Sequence, residues 1–358
     1  QNVAAHVTLV GGAFGRKSKP DYAVEAALLA RETGRPVKVL FTREDEIRHA
    51  FYHPESYQLL RAAIDAEGNP SGWMHRSAFP AIGWAFPDGG ALPTGQERQL
   101  GLTTMPYRFP NIRIEVGRVP SSVRIGWMRS VCNMFHAYGV QCFMDELAHE
   151  LGRDPVEFHL AMLGAPRVMR LDGSDDETAY DEGSAPFPYD TGRLKAVAEA
   201  AADMGGWGKE LPDRQGLGFA VHYSFYSYVA MVAHVSVSPR GDLRVHRVDA
   251  ALDCGPVLNP DAVEAQMQGA IAMSLSLVKH GRISLRDGAV EQSNYHDYPV
   301  IRTTEMPKVN VRAIETGSAP TGIGEPGVPP TIPAVLNAIF AATGKRIRDL
   351  PLTGQDLG

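Results

Sequence analysis

A glycine-rich turn near the amino end has the composition of a loop that binds an anion or a cofactor. Residues 11–18 (GGAFGRKS) follow an apolar stretch and precede a helical pattern. Glycines at such a junction let backbone N–H groups approach a charged or carbonyl-rich ligand. The segment is not a phosphate-binding P-loop, because Arg16 stands where that motif has its second glycine, and it is not a G-x-G-x-x-G fingerprint. A tight turn at the end of a strand is the structural alternative.

A single carboxylate stands in a stiff loop close to the carboxyl end. Glu325 lies within GIGEPG (322–327), and six of the nine residues from Gly322 to Pro330 are glycine or proline. A carboxylate enclosed by apolar surface has a raised pKa and can act as a base near neutral pH. An exposed glutamate without a catalytic role is the alternative, and the stiffness of the loop disfavours it.

Two further segments place polar groups among apolar ones. Arg129 lies in GWMRS (126–130), and its planar fork suits a phosphate or a carbonyl-rich ligand, although a structural ion pair would explain it too. Gln268 and Gly269 interrupt an otherwise apolar helix. The amide could hold a polar ligand that the glycine lets approach the backbone, whereas the alternative is a helix–helix contact at the glycine.

Other catalytic patterns are weak or missing. Glu146 and His149 have the spacing of a di-iron ligand pair, but no second copy of that pair exists. The sequence has no H-E-x-x-H and no G-x-S-x-G. The three cysteines form no C-x-x-C pair, so we expect no iron–sulfur cluster or structural zinc held by this chain alone.

Hydrophobic periodicity predicts the elements that must position these groups. Helices are predicted at residues 21–33, 136–151, 154–163, 192–204, 260–280 and 332–343. Strands are predicted at 5–10, 36–42, 56–66 and 110–119, with a hairpin over 229–255 around a Pro-Arg-Gly-Asp turn. Strands and helices are mixed without strict alternation, which favours the α+β class.

Composition excludes several classes of protein. The 358 residues include 35 Lys plus Arg and 41 Asp plus Glu, a net charge of −6. A mildly acidic chain without a basic block is a poor candidate for nucleic-acid binding, so we expect no nucleic-acid partner. No apolar run approaches the ~20 residues that span a bilayer. Residues 164–190 are acidic and aperiodic, which predicts a linker or surface loop between regions 1–163 and 191–358.

The four segments, taken in this order, resemble those of the molybdenum-binding subunit of the xanthine oxidase family. The chain is most similar to the isoquinoline 1-oxidoreductase beta-subunit and aldehyde dehydrogenase large-subunit type. GGAFGRK resembles the family's GGGFG segment, WMRS its Phe-Arg or Trp-Arg segment, QGAIAM its Gln-Gly helix start and GIGEPG its Gly-Glu-Pro motif, with LDCGPVLNP (252–260) beside them. The chain departs from the pattern at Ala13, which replaces a glycine, and at Met128, which replaces the phenylalanine.

The resemblance implies a fold, a reaction and a set of site residues. Region 1–163 would be the remainder of a first mixed-sheet molybdopterin-binding domain, and region 191–358 a second that carries the Gly-Glu-Pro loop. The reaction would be oxidation of an aldehyde or N-heteroaromatic carbon with water as the oxygen source and Glu325 as general base. Molybdopterin with molybdenum, with or without a cytosine nucleotide, would contact Gly12, Ala13, Phe14, Gly15, Arg129, Gln268, Gly269 and Gly324.

The resemblance also implies partners. The family's subunit continues upstream of the part matched here, and the chain opens inside a predicted strand, so we expect another molybdopterin-binding chain or fragment to complete the site. Iron–sulfur clusters are expected on a partner subunit, and a cytochrome or flavin subunit is a further electron carrier. The resemblance fits the cytoplasm or the periplasm. Two alternatives stay open: a non-catalytic structural or assembly subunit, and a nucleotide-binding enzyme that uses Lys17.

Overall fold

The computed structural model of the chain describes residue 4 and residues 6–86, 89–169 and 187–358. Eight α-helices are present in these ranges: α1 (Asp21–Thr33), α2 (Arg43–His49), α3 (Gly95–Gln99), α4 (Asn133–Glu150), α5 (Pro155–Leu163), α6 (Thr191–Gly205), α7 (Pro260–His280) and α8 (Val328–Thr343). Eleven strands accompany them there: β1 (Tyr57–Ile64), β2 (Pro70–Ala78), β3 (Asn111–Gly117), β4 (Val168–Met169), β5 (Tyr189–Asp190), β6 (Gln215–Ser224), β7 (Ser227–Val237), β8 (Leu243–Asp253), β9 (Leu285–Arg286), β10 (Ala289–Val290) and β11 (Lys308–Ala313).

Two mixed sheets organise the described chain. The first has the order β1-β2-β3, with β1 antiparallel and β3 parallel to β2. The second has the order β11-β8-β7-β6 and is antiparallel except where β11 runs parallel to β8. Helices and mixed sheets together confirm the α+β class. None of the described helices is both long enough and apolar enough to cross a bilayer.

The core lies on both faces of the four-stranded sheet because the central strand β7 carries apolar residues on both of its faces from Tyr228 to Ala233. Val229 and Met231 on one face pack in the cluster that contains α7 and α8, whereas Ala230 and Val232 on the other face pack with α5 and α6. Helix α8 lies directly on β6. A Cβ atom at Gly218 would come 2.1 Å from the backbone nitrogen of Ala338, so only glycine permits this close approach.

Most predicted elements are confirmed, and the exceptions have physical causes. Helix α7 has the predicted bounds, and β7 and β8 form the predicted hairpin. Helix α8 begins at Val328, four residues before the prediction, because prolines are tolerated in a first helical turn and Pro329 and Pro330 occupy it. The expected linker 164–190 is described only at its ends, which pair as β4 and β5; the division into two domains stays a prediction.

The strands predicted at 5–10 and 36–42 are wrong for the described residues. Residues 6–10 and 36–42 belong to no strand, and Ala5 lies outside the described residues. A strand needs a hydrogen-bonded neighbour, and no other described segment supplies one to either stretch. Local β-propensity was therefore not sufficient to form a strand in either segment.

Four buried histidines form hydrogen bonds between elements of the fold, and one of them, His222, joins β6 of the second sheet to α4. His75 on β2 contacts Gln58, and His136 on α4 contacts Ser77 and the carbonyl of Leu100. On α5 and β6, the other two form hydrogen bonds between His159 and Tyr107 and between His222 and Asn133. Burial lowers the pKa of His136 to about 4 and that of the other three to about 3. All four are therefore neutral at physiological pH.

We expect the free energy of unfolding to fall as the pH drops from about 6.5 towards 4. Above that window the histidines are neutral in both states. Within it, the unfolded chain binds protons that the folded chain excludes, so the folded state loses stability as the pH falls. Each such histidine contributes at most about 1.4 kcal/mol per pH unit. Denaturant titrations at several pH values should show a shallower decline for His222→Gln. His296→Gln, at an exposed histidine, is the control, and a free energy constant from pH 6.5 to 5 would contradict the expectation.

Candidate cofactor and active site

Arg129 is the residue at which four distant segments meet. Its side chain is buried, and its Nε donates to the carbonyl oxygen of Gly324 at 2.6 Å. One terminal nitrogen donates to both the backbone and side-chain oxygens of Gln266 on α7, each at 3.0 Å. The ring centroid of Phe14 lies 5.9 Å from the guanidinium carbon, and a Cβ at Gly269 would lie 3.5 Å from the other terminal nitrogen. All four segments singled out in the sequence are thereby brought together.

The charge of Arg129 is not consumed by an ion pair. Within the described ranges no carboxylate oxygen lies within 4 Å of it, so the structural ion pair considered from the sequence is absent there. Its partners are neutral carbonyl and amide oxygens. Burial lowers the pKa of Arg129, while the more distant charge of Glu325 raises it. The guanidinium therefore presents positive charge to anything that binds beside it.

Ser130 fixes Glu325 through two contacts. The backbone N–H of Ser130 donates to Oε2 of Glu325 at 2.6 Å, and its hydroxyl donates to the Glu325 carbonyl at 2.7 Å. Both Ser130 (φ 77°) and Val131 (φ 47°) adopt the left-handed conformation. For a β-branched residue such as Val131 this conformation is a genuine outlier, of a kind that costs on the order of 1–3 kcal/mol. The strain lies in the turn that aims the N–H at the carboxylate.

Glu325 is half-buried in a loop that packs tightly against α7 on one side and is exposed on the other. Burial raises its pKa, and the Ser130 N–H and the Arg129 charge partly offset that rise. Behind it, a Cβ at Gly327 would lie 2.8 Å from side-chain atoms of α7. In front, Gly324 is exposed, and a Cβ there would meet no described atom within 4 Å. The carboxylate thus stands on a rigid support beside open space.

The loop before Glu325 is tied to the end of the second sheet. The N–H of Thr321 donates to the carbonyl of Cys254, just after β8, at 2.8 Å. The hydroxyl of Ser227, at the start of β7, donates to the carbonyl of Gly322 at 2.7 Å. The loop that carries Glu325 is therefore held by two largely buried strands, and this favours a precise position for the carboxylate.

The glycine-rich turn forms the exposed side of the site. Gly12 (φ 132°), Phe14 (φ 50°) and Gly15 (φ 89°) have left-handed backbone, and a Cβ at Gly15 would come 2.4 Å from the carbonyl oxygen of Trp127. The turn therefore needs glycine to lie against the Arg129 segment. The four N–H groups of residues 12–15 donate to no acceptor in the part of the chain that the structure describes. They suit a ligand rich in acceptor oxygens.

A buried lysine secures the end of this turn. The Lys19 ammonium lies over the rings of Phe51 (4.6 Å), Phe86 (4.0 Å) and Trp127 (5.9 Å) and donates to the carbonyl of Ala85 at 3.3 Å. Burial lowers its pKa. The cation–π contacts fasten the turn to the segment that carries Arg129.

Two residues of α7 differ in role from the sequence expectation. Gln268, predicted to contact the cofactor, is exposed and donates to Glu264 along the helix surface at 2.9 Å. Gln266 contacts Arg129 instead, and neither it nor Ser130 was among the predicted site residues. Gln266 and Gly269 are three residues apart and share one face of the helix, and this spacing is the signal that could have identified Gln266. The contact of Ser130 with Glu325 depends on a left-handed turn, which leaves no pattern in the sequence.

The described ranges contain no group of three or more His, Cys, Asp or Glu side chains that could bind a metal ion. Glu146 and His149, which have the spacing of a di-iron ligand pair, make other contacts: Glu146 forms an ion pair with Arg348 at 2.7 Å, and His149 packs edge-on against Phe340. The polar groups around Arg129 are instead amides, carbonyls and one carboxylate. Such groups bind an organic cofactor by hydrogen bonds.

Comparisons with known proteins define the class. Residues 1–162 and 175–307 each match a family described as molybdopterin cofactor-binding domain. The fold resembles that of quinoline 2-oxidoreductase from Pseudomonas putida 86, with a TM-score of 0.74 at 15% identity over 96% of this chain and 66% of that chain. The fold is thus that of molybdopterin-binding oxidoreductases.

Curated relatives narrow the class to a family. The chain is 30% identical to the beta chain of isoquinoline 1-oxidoreductase from Brevundimonas diminuta, over 97% of its own length and 42% of that protein. It is also 30% identical to a nicotinate dehydrogenase subunit of Pseudomonas putida, over 96% of this chain and 29% of that one. The chain belongs to the molybdenum-binding subunits of the xanthine oxidase family. It spans less than half the length of these relatives.

We expect Arg129→Met to lower the free energy of unfolding by about 1.5–3 kcal/mol, because the charge-assisted hydrogen bonds from the buried guanidinium to the oxygens of Gly324 and Gln266 are lost. Chemical denaturation measures the difference. Arg31→Met, at an exposed arginine of α1, should change it by less than about 0.5 kcal/mol. Equal stability of the two variants would show that Arg129 does not hold the four segments together.

Proposed function

We propose that this chain forms the catalytic portion of a molybdenum hydroxylase that oxidises an aldehyde or an N-heteroaromatic carbon with water as the oxygen source. The observation that carries the proposal is the placement of Glu325. The carboxylate is half-buried, has a raised pKa, and lies on a rigid loop beside Arg129 and the glycine-rich turn. Family membership supports the reaction class but does not by itself assign the base.

The residues around Arg129 fit molybdopterin with molybdenum. Residues 12–15 offer four N–H groups that have no acceptor among the described residues, and the space beside Gly324 is open, since a Cβ there would meet no described atom within 4 Å. These groups, with Arg129 and the backbone at Gly269 and Gly324, would hold the pterin; Gln268 would join them by turning from Glu264. The fit applies equally to a pterin that carries a cytosine nucleotide. When bound, the cofactor supplies the two-electron redox chemistry.

Glu325 would act as the general base. Its Oε2 accepts the Ser130 N–H, while its Oε1 has no hydrogen-bond partner within the described chain and is available to take a proton. The proton would come from the water-derived oxygen as that oxygen attacks the electron-poor carbon. A positioned base of this kind typically contributes about 10²–10⁴-fold in rate. Ser130 keeps the carboxylate in place, and Arg129 keeps its pKa from rising further.

The proposal includes partner polypeptides. Relatives are more than twice as long as this chain, so another molybdopterin-binding chain or fragment would complete the cofactor site. An iron–sulfur subunit would remove the electrons, with a cytochrome or flavin subunit as a further carrier. The remaining partner is the small-molecule substrate.

Glu325→Gln in the purified complex should reduce kcat by at least about 10²-fold while molybdenum and pterin stay bound, because the amide keeps the shape but cannot accept the proton. Activity assays with metal analysis and pterin fluorescence separate the two effects. Glu67→Gln, in an exposed turn, is the matched control. Near-normal activity of Glu325→Gln would remove it as the base, and absence of molybdenum and pterin from the wild-type complex would favour the assembly-subunit alternative.

The pH dependence of kcat/KM should have an acid limb governed by Glu325. The base works deprotonated, so activity should fall as the pH drops through a pKa that burial places above the ordinary glutamate value. Arg129→Lys keeps a positive charge and should leave this limb near its position, whereas Arg129→Met should move it to higher pH because the lowering charge is gone. An acid limb unmoved by Arg129→Met would contradict the assignment.

A further inference from the structure

The turn formed by Ser130 and Val131, which aims an N–H at Glu325, is contacted by a histidine from a distant part of the chain. Nε2 of His53 lies 3.1 Å from the carbonyl oxygen of Val131. A carbonyl oxygen can only accept a hydrogen bond, so this contact requires a proton on Nε2. The imidazole also packs edge-on against Phe135 of α4, with ring centroids 5.7 Å apart. His53 is therefore held between the turn and the helix that follows it.

The segment that carries His53 is itself paired with the segment that leads into the turn. The N–H of Tyr52 donates to the carbonyl of Arg124, and the N–H of Gly126 donates to the carbonyl of Tyr52, each at 2.9 Å. These two bonds form an isolated parallel bridge between Tyr52 and Ile125. A Cβ at Gly126 would come 2.9 Å from the Cβ of Phe51, so glycine permits this close approach. The chain is thus held both before the turn, by the bridge, and after it, by the imidazole.

The Ser130–Val131 turn needs such support because its backbone conformation is unfavourable. The turn is closed by the N–H of Val131, which donates to the carbonyl of Met128 at 2.8 Å, while both Ser130 and Val131 are left-handed. A β-branched residue keeps this conformation only where its surroundings enforce it. The Val131 carbonyl also lies 3.4 Å from the N–H of Met134, so His53 makes the shorter of these two contacts.

We propose that His53 is a positioning residue for Glu325: its Nε2–H holds the Val131 carbonyl and thereby keeps the Ser130 N–H aimed at the Glu325 carboxylate. The inference deepens the proposed function and rests on it, because this positioning serves the reaction only if Glu325 is the base. Burial lowers the pKa of His53, and its contacts with backbone carbonyls partly offset the fall. The neutral ring, with a single N–H, is therefore the favoured form at physiological pH.

His53→Phe keeps a ring against Phe135 but removes the N–H. The bond from Ser130 lowers the pKa of Glu325, so a turn that relaxes in this variant should raise that pKa. Carbon-13 NMR of the full chain, labelled at glutamate carboxyl carbons, follows the carboxyl directly, and Glu325→Gln identifies its signal. His53→Gln retains an N–H donor and should restore the wild-type titration. Arg129, the charged group that also acts on Glu325, is unchanged in both variants.

The purified complex reports the consequence for the reaction. His53→Phe should lower kcat by at least about ten-fold through misplacement of the base, while KM stays near the wild-type value because His53 does not touch the substrate. His53→Gln should recover most of kcat. His149→Phe is the matched control, since His149 also packs edge-on against a phenylalanine, Phe340 of α8, and this variant should change neither kcat nor the Glu325 titration.

Nitrogen-15 NMR of the wild-type chain tests the contact without any change at His53, since it reports which imidazole nitrogen carries the proton. The proposal is overturned if Nε2 is unprotonated at neutral pH, if folded His53→Phe leaves the Glu325 titration unmoved, or if His53→Gln shifts it as far as His53→Phe does. Circular dichroism reports folding; should His53→Phe not fold, the wild-type tautomer and the His53→Gln titration decide. A raised Glu325 pKa without a fall in kcat would support the positioning contact and count against Glu325 as the base.

Discussion

The site depends on a buried guanidinium that is satisfied by neutral oxygens. Arg129 donates to Gly324 across 195 positions of sequence and to Gln266 across 137. Burying such a charge without a carboxylate is costly, and charge-assisted hydrogen bonds to carbonyls offset that cost only where the geometry is good. The arrangement therefore holds the GIGEPG loop and α7 at fixed distance from the 126–131 segment, and it leaves the positive charge for a ligand.

Two consecutive residues, Arg129 and Ser130, contact two consecutive residues of the loop, Gly324 and Glu325. The charge of Arg129 and the basicity of the Glu325 carboxylate are therefore coupled. The Arg129 side chain holds the Gly324 carbonyl, and the next residue, Ser130, holds both the carbonyl and the carboxylate of Glu325. An anionic ligand beside Arg129 would neutralise the charge that lowers the Glu325 pKa, and the carboxylate would become a stronger base. The strained turn at Ser130 and Val131 prevents the carboxylate from escaping this environment, because the N–H is aimed before any ligand arrives.

Elements with a regular hydrophobic period could be predicted from the sequence, and the order of the motifs predicted which segments would lie close together. Helix α7 and the β7–β8 hairpin follow from hydrophobic period and turn residues, and Glu325, Arg129 and Gly12 follow from the order of motifs. The sequence could not predict Ser130, whose role depends on a left-handed turn, or the choice of Gln266 over Gln268, which depends on the rotation of α7 about its axis. Residues 36–42 show the opposite failure: their strand propensity is real, but pairing is a tertiary property.

The open side of the site is formed by a segment that belongs to neither sheet of the described fold. Residues 12–15 present N–H groups without acceptors among the described residues, and they follow closely on residues 6–10, which belong to no described strand. The closed side, by contrast, is built from β7, β8 and α8, which are buried throughout most of their length. The proposed base, Glu325, is held on the closed side by contacts within this chain, whereas the proposed cofactor contacts on the open side have no covering segment among the described residues. Positioning of the proposed base and enclosure of the cofactor would thus be separate structural tasks, and the described contacts of Glu325 serve the first.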